Sequence, residues 1–405
     1  MRLATSRAVS LTLCSAALFL AAGPAVLRAD IQLIGTARFP GEATDHSGLT
    51  DKLKGDIPHN RLGGISAIEY TGHGNMYLLL PDRGPNDGDS EYRCRFHALE
   101  LIANPGGTTP LTAKITATTM LQTERAANFV GSAWAFDERG AAQSLRFDPE
   151  GIRIDRQGQL FISDEYGPSV YRFAPSGRRT AVLNVPRRFQ IAHPAATPAE
   201  ESAKNTAGRQ TNGGLEGLAI SPDGLKLFAA MQRPLLQDSQ PGKKRTGTNT
   251  RVIEFDLKSG STREFLYPLD VTANGVSEIL AVNGHEFLVL ERDGRGGAEA
   301  VNKRIYRVDL QGATDISSRD TLPASEIPAD IKPARKTPFI DLLAPRFGLA
   351  GSDFPEKLEG LAFGPDLPDG RRLLVVAVDN DHVAERPILL WAFAIDRQDL
   401  PGFGW

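Results

Sequence analysis

Two short apolar strands joined by a turn recur five times along this chain, and the repetition constrains the fold more than any other feature. In each copy the first strand opens with Glu-Gly or a related pair, and the second strand ends in charged residues. The copies start at Gly63, Pro149, Leu215, Ser277 and Leu358. The turns Asp223-Gly224 and Asn283-Gly284 predict hairpins, because both dipeptides tolerate positive φ.

Two more strands follow most copies, so four-stranded units begin at intervals of roughly 60 to 85 residues, which is typical of propeller blades. We therefore predict an all-β fold, a single β-propeller of five four-stranded blades. The fifth unit has only three strands of its own, and the early strand Ile31–Phe39 is the candidate for its fourth. That pairing would close the ring and remove both open edges. Six blades are the alternative, since weak strands could lie in the long spacers.

The first 29 residues differ from the rest and are typical of a secretory signal peptide. Arg2 and Arg7 precede the apolar stretch Leu11–Leu20, and Ala29 is the expected last residue before cleavage. A retained membrane anchor is the alternative. We expect residues 30–405 to form one monomeric propeller domain that is periplasmic or secreted in a bacterium and keeps no membrane span.

Composition and missing motifs exclude several classes of function. The formal net charge is −3, which provides no basic surface for nucleic acid. The sequence has no G-x-S-x-G nucleophile motif and no P-loop. Histidines are scarce and unclustered, so a zinc site is not expected. Cys94 is the one cysteine after the predicted cleavage site, which leaves no intrachain disulfide.

Carboxylates recur at the repeated phrase. Glu150, Glu216, Glu278 and Glu359 open the first strand in four units, and Ser66 takes that place in the first unit. First strands line the central channel of a propeller, so we expect these side chains to converge near the axis. The alternative is that each glutamate bonds backbone N–H groups of the neighbouring blade.

The acidic ends of the second strands should gather beside these glutamates. Oxygen ligands in such number favour Ca²⁺ over zinc, and without a cation their mutual repulsion would raise some pKa values. The predicted metal ligands are Glu150, Glu216, Glu278, Glu359, Asp82, Asp164, Glu165, Glu291, Asp293 and Asp379.

Other residues near these acids are candidates for catalysis and substrate binding. Arg83, Arg233 and Arg292 follow second strands and could hold an anionic group, or could pair with the surrounding acids. His382 could act as a general base, together with Glu150 or Glu216. Tyr166 and Asn212 lie in neighbouring segments, and with Arg83 and Arg292 they complete the predicted substrate site.

Several segments together resemble the family called "esterase-like activity of phytase", over about Gly63 to Asp381. They are Pro81-Asp82-Arg83-Gly84-Pro85, Asp148-Pro149-Glu150-Gly151-Ile152, Ser163-Asp164-Glu165-Tyr166-Gly167, Asn212-Gly213-Gly214-Leu215-Glu216-Gly217-Leu218, Leu290-Glu291-Arg292-Asp293 and Lys357-Leu358-Glu359-Gly360-Leu361. The resemblance implies a β-propeller with esterase or phosphatase activity. The histidine-phosphatase signature R-H-G-x-R-x-P is absent.

These observations predict calcium-assisted hydrolysis of a small-molecule ester or phosphoester. Two alternatives come from other uses of the same fold. One is a lactonase similar to the gluconolactonase-like proteins, and the other is a non-enzymatic propeller that binds a partner through its loops.

Overall fold

The computed structural model describes residues 31–140, 143–242 and 246–404. The predicted signal peptide and its cleavage site therefore lie outside the described residues. Within these ranges no helix is long and apolar enough to cross a membrane.

Strands dominate the described chain and form five antiparallel sheets of four strands each. The strands are β1 (Gln32–Phe39), β2 (Ile65–Tyr70), β3 (Met76–Pro81), β4 (Arg95–Ala103), β5 (Leu111–Met120), β6 (Pro149–Ile154), β7 (Leu160–Asp164), β8 (Ser169–Phe173), β9 (Arg179–Leu183), β10 (Leu215–Ile220), β11 (Lys226–Met231), β12 (Asn249–Asp256), β13 (Thr262–Pro268), β14 (Asn274–Ala281), β15 (Glu286–Asp293), β16 (Lys303–Asp309), β17 (Arg335–Asp341), β18 (Leu358–Phe363), β19 (Arg372–Val378) and β20 (Ile388–Ile395).

The sheets are the blades of a five-bladed propeller, as the sequence predicts. Blades 1 to 4 are β2–β5, β6–β9, β10–β13 and β14–β17, and blade 5 is β18–β20 completed by β1. The first strands of successive blades contact one another around the whole ring, with β18 returning to β2. Strand β1 pairs antiparallel with β20, from Gln32 opposite Ala394 to Phe39 opposite Ile388. The predicted closure by the N-terminal strand is confirmed.

The core lies between the faces of adjacent sheets. Leu288 and Leu290 of blade 4 pack in one cluster with Val376 and Trp391 of blade 5. Alternate residues of each strand face one neighbouring blade and then the other, so the central strands are apolar on both faces. This packing leaves the inner edges of the first strands free to define the axis.

One α-helix, α1 (Pro198–Lys204), lies within the described residues, in the connection from blade 2 to blade 3. Thr197 caps it by accepting a hydrogen bond from the backbone N–H of Glu200 at 3.2 Å. Pro198 starts the helix, where its missing N–H costs nothing.

The repeated Glu-Gly phrase forms a β-bulge at the axis. The register shifts between Pro149 and Ile152 in β6, between Leu215 and Leu218 in β10, and between Leu358 and Gly360 in β18. A bulge turns a side chain out of the regular alternation, which directs the glutamate toward the axis. The glycine allows close contact with the next blade, because a Cβ on Gly151 would lie 2.8 Å from the Glu216 carbonyl oxygen.

Blade 4 differs from the sequence prediction, which placed Glu278 at the position of Glu150, Glu216 and Glu359 in the other blades. The register shift in β14 falls between Val276 and Glu278, so Ser277 occupies the bulge, while Glu278 pairs regularly with Leu290. In blade 1 the bulge residue is Ser66, as expected. The bulge positions around the ring are thus Ser66, Glu150, Glu216, Ser277 and Glu359.

Candidate functional site

Four carboxyl groups from blades 2 and 3 meet near the axis, and we call them the axial cluster: Asp148, Glu150, Glu165 and Glu216. One oxygen from each of Asp148, Glu150 and Glu165 lies within 4.8 Å of the others. Glu216 hydrogen-bonds to Glu165 through their side chains. Asp148 precedes β6 and Glu165 follows β7, so the blade 2 hairpin and two bulges build the cluster.

Arg83, which follows β3 of blade 1, is the cation in direct contact with this cluster. Its Nη1 hydrogen-bonds to Asp148 and, at 3.1 Å, to Glu165 Oε2. Its backbone N–H donates to Asp148 Oδ1 at 3.1 Å, and its Nη2 donates to Asn212 Oδ1 at 2.7 Å. One guanidinium is thereby shared between two of the four carboxyl groups.

Burial and mutual repulsion set the pKa values in the axial cluster. Burial, and then the charge of Glu216, raises the pKa of Glu150 well above its usual range. Burial, and then the charge of Glu165, does the same to the pKa of Glu216. Burial raises the pKa of Asp148 to about 8 despite Arg83. Burial favours the neutral form of Glu165, but the charges of Arg83 and Arg209 outweigh it and lower the pKa of Glu165.

His382 and Asp82 face each other where blade 5 meets blade 1. His382 Nε2 lies 3.7 Å from Asp82 Oδ1, and the side chain is 2% exposed. Neither ring nitrogen has a hydrogen-bond partner among the described residues. Gly64, at φ 61°, makes room for this imidazole, since a Cβ there would collide with it. Burial favours the neutral acid, but the nearby imidazole of His382 outweighs it and lowers the pKa of Asp82.

Lys357 and Asp379 lie beside this pair. Lys357 Nζ bonds to Asp379 Oδ2 at 3.3 Å and to Asp381. Burial raises the pKa of Asp379 to about 7, against the charge of Lys357. Lys357 therefore neutralises the acidic end of β19.

Arg292 and Glu359 form an ion pair between blades 4 and 5. The Arg292 Nη2 bonds to Glu359, and its Nε donates to Ser277 Oγ at 3.0 Å. Arg292 is also close enough to Glu216 to act on its pKa. The structure thus brings Arg292 to the axis, with an acid already bound to it.

Two predicted ligands have local partners away from the axial cluster. Glu291 accepts hydrogen bonds from Tyr267 Oη at 2.8 Å and Lys336 Nζ at 2.5 Å. Asp293 accepts from the backbone N–H groups of Val301 and Asn302 and pairs with Lys303.

Asp164 lies next to the axial cluster but turns to the backbone. It accepts from the N–H groups of Asp148 and Tyr166, each at 3.1 Å. These contacts hold the chain around Asp148 and Glu165 in place.

Glu278 belongs to a second layer on the axis, which we call the channel plug: Arg153, Glu69 and Glu278. Arg153 Nη1 lies 3.3 Å from Glu69 Oε2, and Nη2 lies 3.0 Å from Glu278 Oε2.

The guanidinium of the channel plug also reaches the backbone around the ring. Arg153 donates to the carbonyl oxygens of Ile68 at 3.3 Å, Ile279 at 3.0 Å and Leu361 at 3.4 Å. These residues belong to blades 1, 4 and 5, so a guanidinium from blade 2 that reaches all of them lies on the axis. The channel plug closes the channel below the axial cluster.

Tyr166 and Asn212 line a small cleft beside the axial cluster, together with Arg83 and Arg209. Tyr166 Oη donates to the Gly131 carbonyl oxygen at 3.0 Å. Asn212 adopts the left-handed conformation, at φ 54°, which asparagine tolerates better than most residues. Glu165 of the axial cluster also lines this cleft.

Asp148, Lys357 and Arg153 are residues of the axis that the sequence analysis did not select. Asp148 and Lys357 directly precede the first strands of blades 2 and 5. Blades 1 and 3 have Gly64 and Gly214 at this position. In all four blades the carbonyl oxygen of this residue accepts a hydrogen bond from the residue that follows the second strand. A comparison of the residue before each repeated phrase would have singled out these two charges.

The donor chemistry of the axial cluster fits a hard cation. Asp148, Glu150 and Glu165 offer only carboxylate oxygens, which calcium and magnesium prefer and zinc does not require. Within the described part of the chain, Arg83 is the cation that forms salt bridges with this cluster, which leaves a surplus of negative charge when all four acids are ionised. A bound cation would balance that surplus.

Comparisons with known proteins give the family. A protein named as an uncharacterized secreted protein from Arthroderma benhamiae is 29% identical over 241 residues, which are 49% of this chain and 47% of that protein. The chain thus matches about half the length of this relative.

Two solved structures show a distant likeness to the chain. A GH43 β-1,3-galactosidase shares 11% identity over 87% of this chain and 94% of its own, with a TM-score of 0.42. The aldose sugar dehydrogenase of Streptomyces coelicolor shares 12% sequence identity over 91% of this chain and 99% of its own, with a TM-score of 0.37. The family model described as "esterase-like activity of phytase" matches residues 60–382. The chain belongs to this phytase-like family.

Proposed function

We propose that this protein is an exported, calcium-assisted hydrolase of ester or phosphoester bonds whose active site is the axial cluster. The observation that carries the proposal is the surplus of carboxyl groups over cations at Asp148, Glu150, Glu165 and Glu216. Family membership supports hydrolysis, and the relative named as a secreted protein supports export.

Asp148, Glu150 and Glu165 would hold the cation, since their oxygens already lie within 4.8 Å of one another. When bound, Ca²⁺ supplies charge stabilisation for an oxygen of the scissile group and acidifies water. Arg83 bridges two of these ligands and holds Asn212 at 2.7 Å. It would therefore fix the ligand geometry and offer its outer edge to an anionic part of the substrate.

Glu216 is the residue we assign as general base. It contacts Glu165 and therefore lies beside the cation ligands. It would accept a proton from the water that attacks the carbonyl carbon or the phosphorus atom. His382, whose ring nitrogens are free of hydrogen bonds in the described chain, would give a proton to the departing alkoxide oxygen, with Asp82 stabilising the imidazolium.

The test is hydrolysis by the purified mature protein, with Ca²⁺ or with a chelator, on p-nitrophenyl esters, p-nitrophenyl phosphates and lactones. We expect calcium-dependent turnover of an ester or a phosphoester, and a loss of about 10²- to 10⁴-fold in kcat for Glu216→Gln. Glu254→Gln is the matched control, because Glu254 lies on β12 and pairs with Arg263 far from the axis.

Unchanged turnover in Glu216→Gln would remove the role assigned to this residue. Calcium-independent turnover would contradict the proposed cation. Turnover of lactones alone would favour the lactonase, and an inactive protein on every substrate would favour a binding module.

A further inference from the structure

Ser163 joins the two bulges that carry Glu150 and Glu216. It lies on β7, fully buried, directly opposite the bulge of β6. Its Oγ accepts a hydrogen bond from the Gly151 N–H at 2.7 Å and donates one to the Glu216 carbonyl oxygen at 2.8 Å. One hydroxyl is thus bonded to the backbone of blade 2 and of blade 3.

The two bonded backbone groups are those of the candidate catalytic segments themselves. Gly151 follows Glu150 directly, and the accepting carbonyl belongs to Glu216. The contact between the bulges is already close, since a Cβ on Gly151 would lie 2.8 Å from that same carbonyl oxygen. The hydroxyl therefore bridges the two segments at this close contact.

Other contacts fix the bulge of β10 from both sides. Glu165 Oε1 accepts from the Gly214 N–H at 3.2 Å, before Glu216, and Glu278 Oε1 accepts from the Leu218 N–H at 3.0 Å, after it. Ser163 holds the middle of this bulge and is the member of the set that also binds the bulge of β6.

Blade 3 shows that the fold accepts an alanine at this place in a blade. In that blade the register shifts between Leu215 and Leu218, which pair with Met231 and Ala229, so Ala230 lies opposite the bulge. Ser163 is the corresponding residue in blade 2, between Asp164 and Ile162. A hydroxyl is therefore not required to form the bulge itself.

We propose that Ser163 is a positioning residue for the axial cluster, and that its hydroxyl holds Glu150 and Glu216 at the separation that cation binding and proton transfer require. This inference rests on the function proposed above. Without the hydroxyl, a buried N–H and a buried carbonyl lose their partner, and the two bulges can move apart. Displacements of about 1 Å in such sites cost about 10²-fold in rate.

The experiment compares Ser163→Ala with Ser221→Ala. Ser221 is also buried and its hydroxyl also makes backbone hydrogen bonds, to Lys226, but it caps a turn at the far end of β10. Three measurements give the quantities to compare: hydrogen exchange of the peptide that contains Gly151, calorimetry for the Ca²⁺ dissociation constant, and kinetics for kcat and KM on the substrate that the wild type hydrolyses.

For Ser163→Ala we expect exchange at Gly151 to be about 10-fold faster and calcium binding to be about 10-fold weaker. We expect kcat to fall by about 10- to 100-fold while KM stays within about threefold. Ser221→Ala should leave all three quantities unchanged, although its melting temperature falls. If Ser163→Ala does not fold, Ser163→Cys, which keeps the volume and bonds weakly, is measured in the same way.

The inference is overturned if Ser163→Ala keeps both the Ca²⁺ dissociation constant and kcat within twofold of the wild type. If the wild type hydrolyses nothing but binds Ca²⁺, the proposed hydrolysis fails, while weaker calcium binding in Ser163→Ala still supports the positioning role. If the wild type neither binds Ca²⁺ nor hydrolyses any substrate, both proposals fail.

Discussion

The axial cluster and the channel plug are two layers of carboxyl groups on one axis, yet they are neutralised differently. In the channel plug, Arg153 lies between Glu69 and Glu278 and also donates to carbonyl oxygens of several blades. In the axial cluster, Arg83 contacts Asp148 and Glu165, while Glu150 and Glu216 lie beside further acids.

Under the proposed function, the difference separates a structural layer from the layer assigned as the active site. Buried ions are tolerated when their partners are built into the fold, as in the channel plug. The axial cluster lacks enough fixed partners, so its folded form is completed by something mobile, a proton or a cation. One arginine serves two acids in the channel plug and one serves four in the axial cluster, so the ratio of cations to carboxyl groups distinguishes the two layers.

The largest expected effect comes from removing the cation of the channel plug. Arg153→Met should lower the free energy of unfolding by about 3–5 kcal/mol, because it leaves Glu69 and Glu278 buried without their partner. Urea denaturation at neutral pH measures this change. Arg172→Met, on the exposed face of β8 in the same blade, should change stability by no more than about 0.5 kcal/mol. Equal effects of the two substitutions would contradict a special role for Arg153.

Calcium should stabilise the protein through the axial cluster. At a free concentration about 100 times its dissociation constant, Ca²⁺ should raise the free energy of unfolding by about 2.7 kcal/mol relative to chelator. The Asp148→Asn/Glu150→Gln double variant should lose this gain, because two of the three converging oxygens are then amides. If Ca²⁺ stabilises the double variant as much as the wild type, the cation must bind elsewhere in the molecule.

The smallest expected effect is a change in stability that has opposite signs in the two layers. In chelator, Glu150→Gln should stabilise the protein by about 1 kcal/mol, because it removes a half-buried carboxyl group from beside Glu216 and Asp148. Glu278→Gln, in the channel plug, should destabilise it, since Arg153 then loses a charged partner. Chemical denaturation of both variants without Ca²⁺ checks the two signs, and a loss of stability in both would erase the distinction.

The fold could be predicted from the sequence because repetition and alternation are properties of the sequence itself. The apolar strands, their turns and the unpaired Ile31–Phe39 segment were sufficient to predict five blades closed by the N-terminal strand. The register within a strand was not available in the same way. A bulge shifts pairing by one residue, so Glu278 could not be separated from Ser277 before the pairing was known.

The site was predictable only in part for a related reason. The sequence analysis selected Glu150, Glu165 and Glu216 by their place in the repeat, and the structure brings them together. It passed over Asp148, which belongs to the same cluster. It grouped Glu291 with them, although Lys336 from the outer strand β17 pairs with that residue. Such pairs depend on which distant strands become neighbours, and local sequence does not contain that information.

The pairing of β1 with β20 joins segments from opposite ends of the described chain. This contact forms only after almost all of the chain is available, and long loops of this kind slow folding. Until then β20 presents an open edge, which can pair with β1 of another molecule as well as with its own β1. Self-closure and strand exchange therefore compete, and dilution favours self-closure because the tethered strand has a fixed local concentration. Refolding at high protein concentration should accordingly yield exchanged dimers.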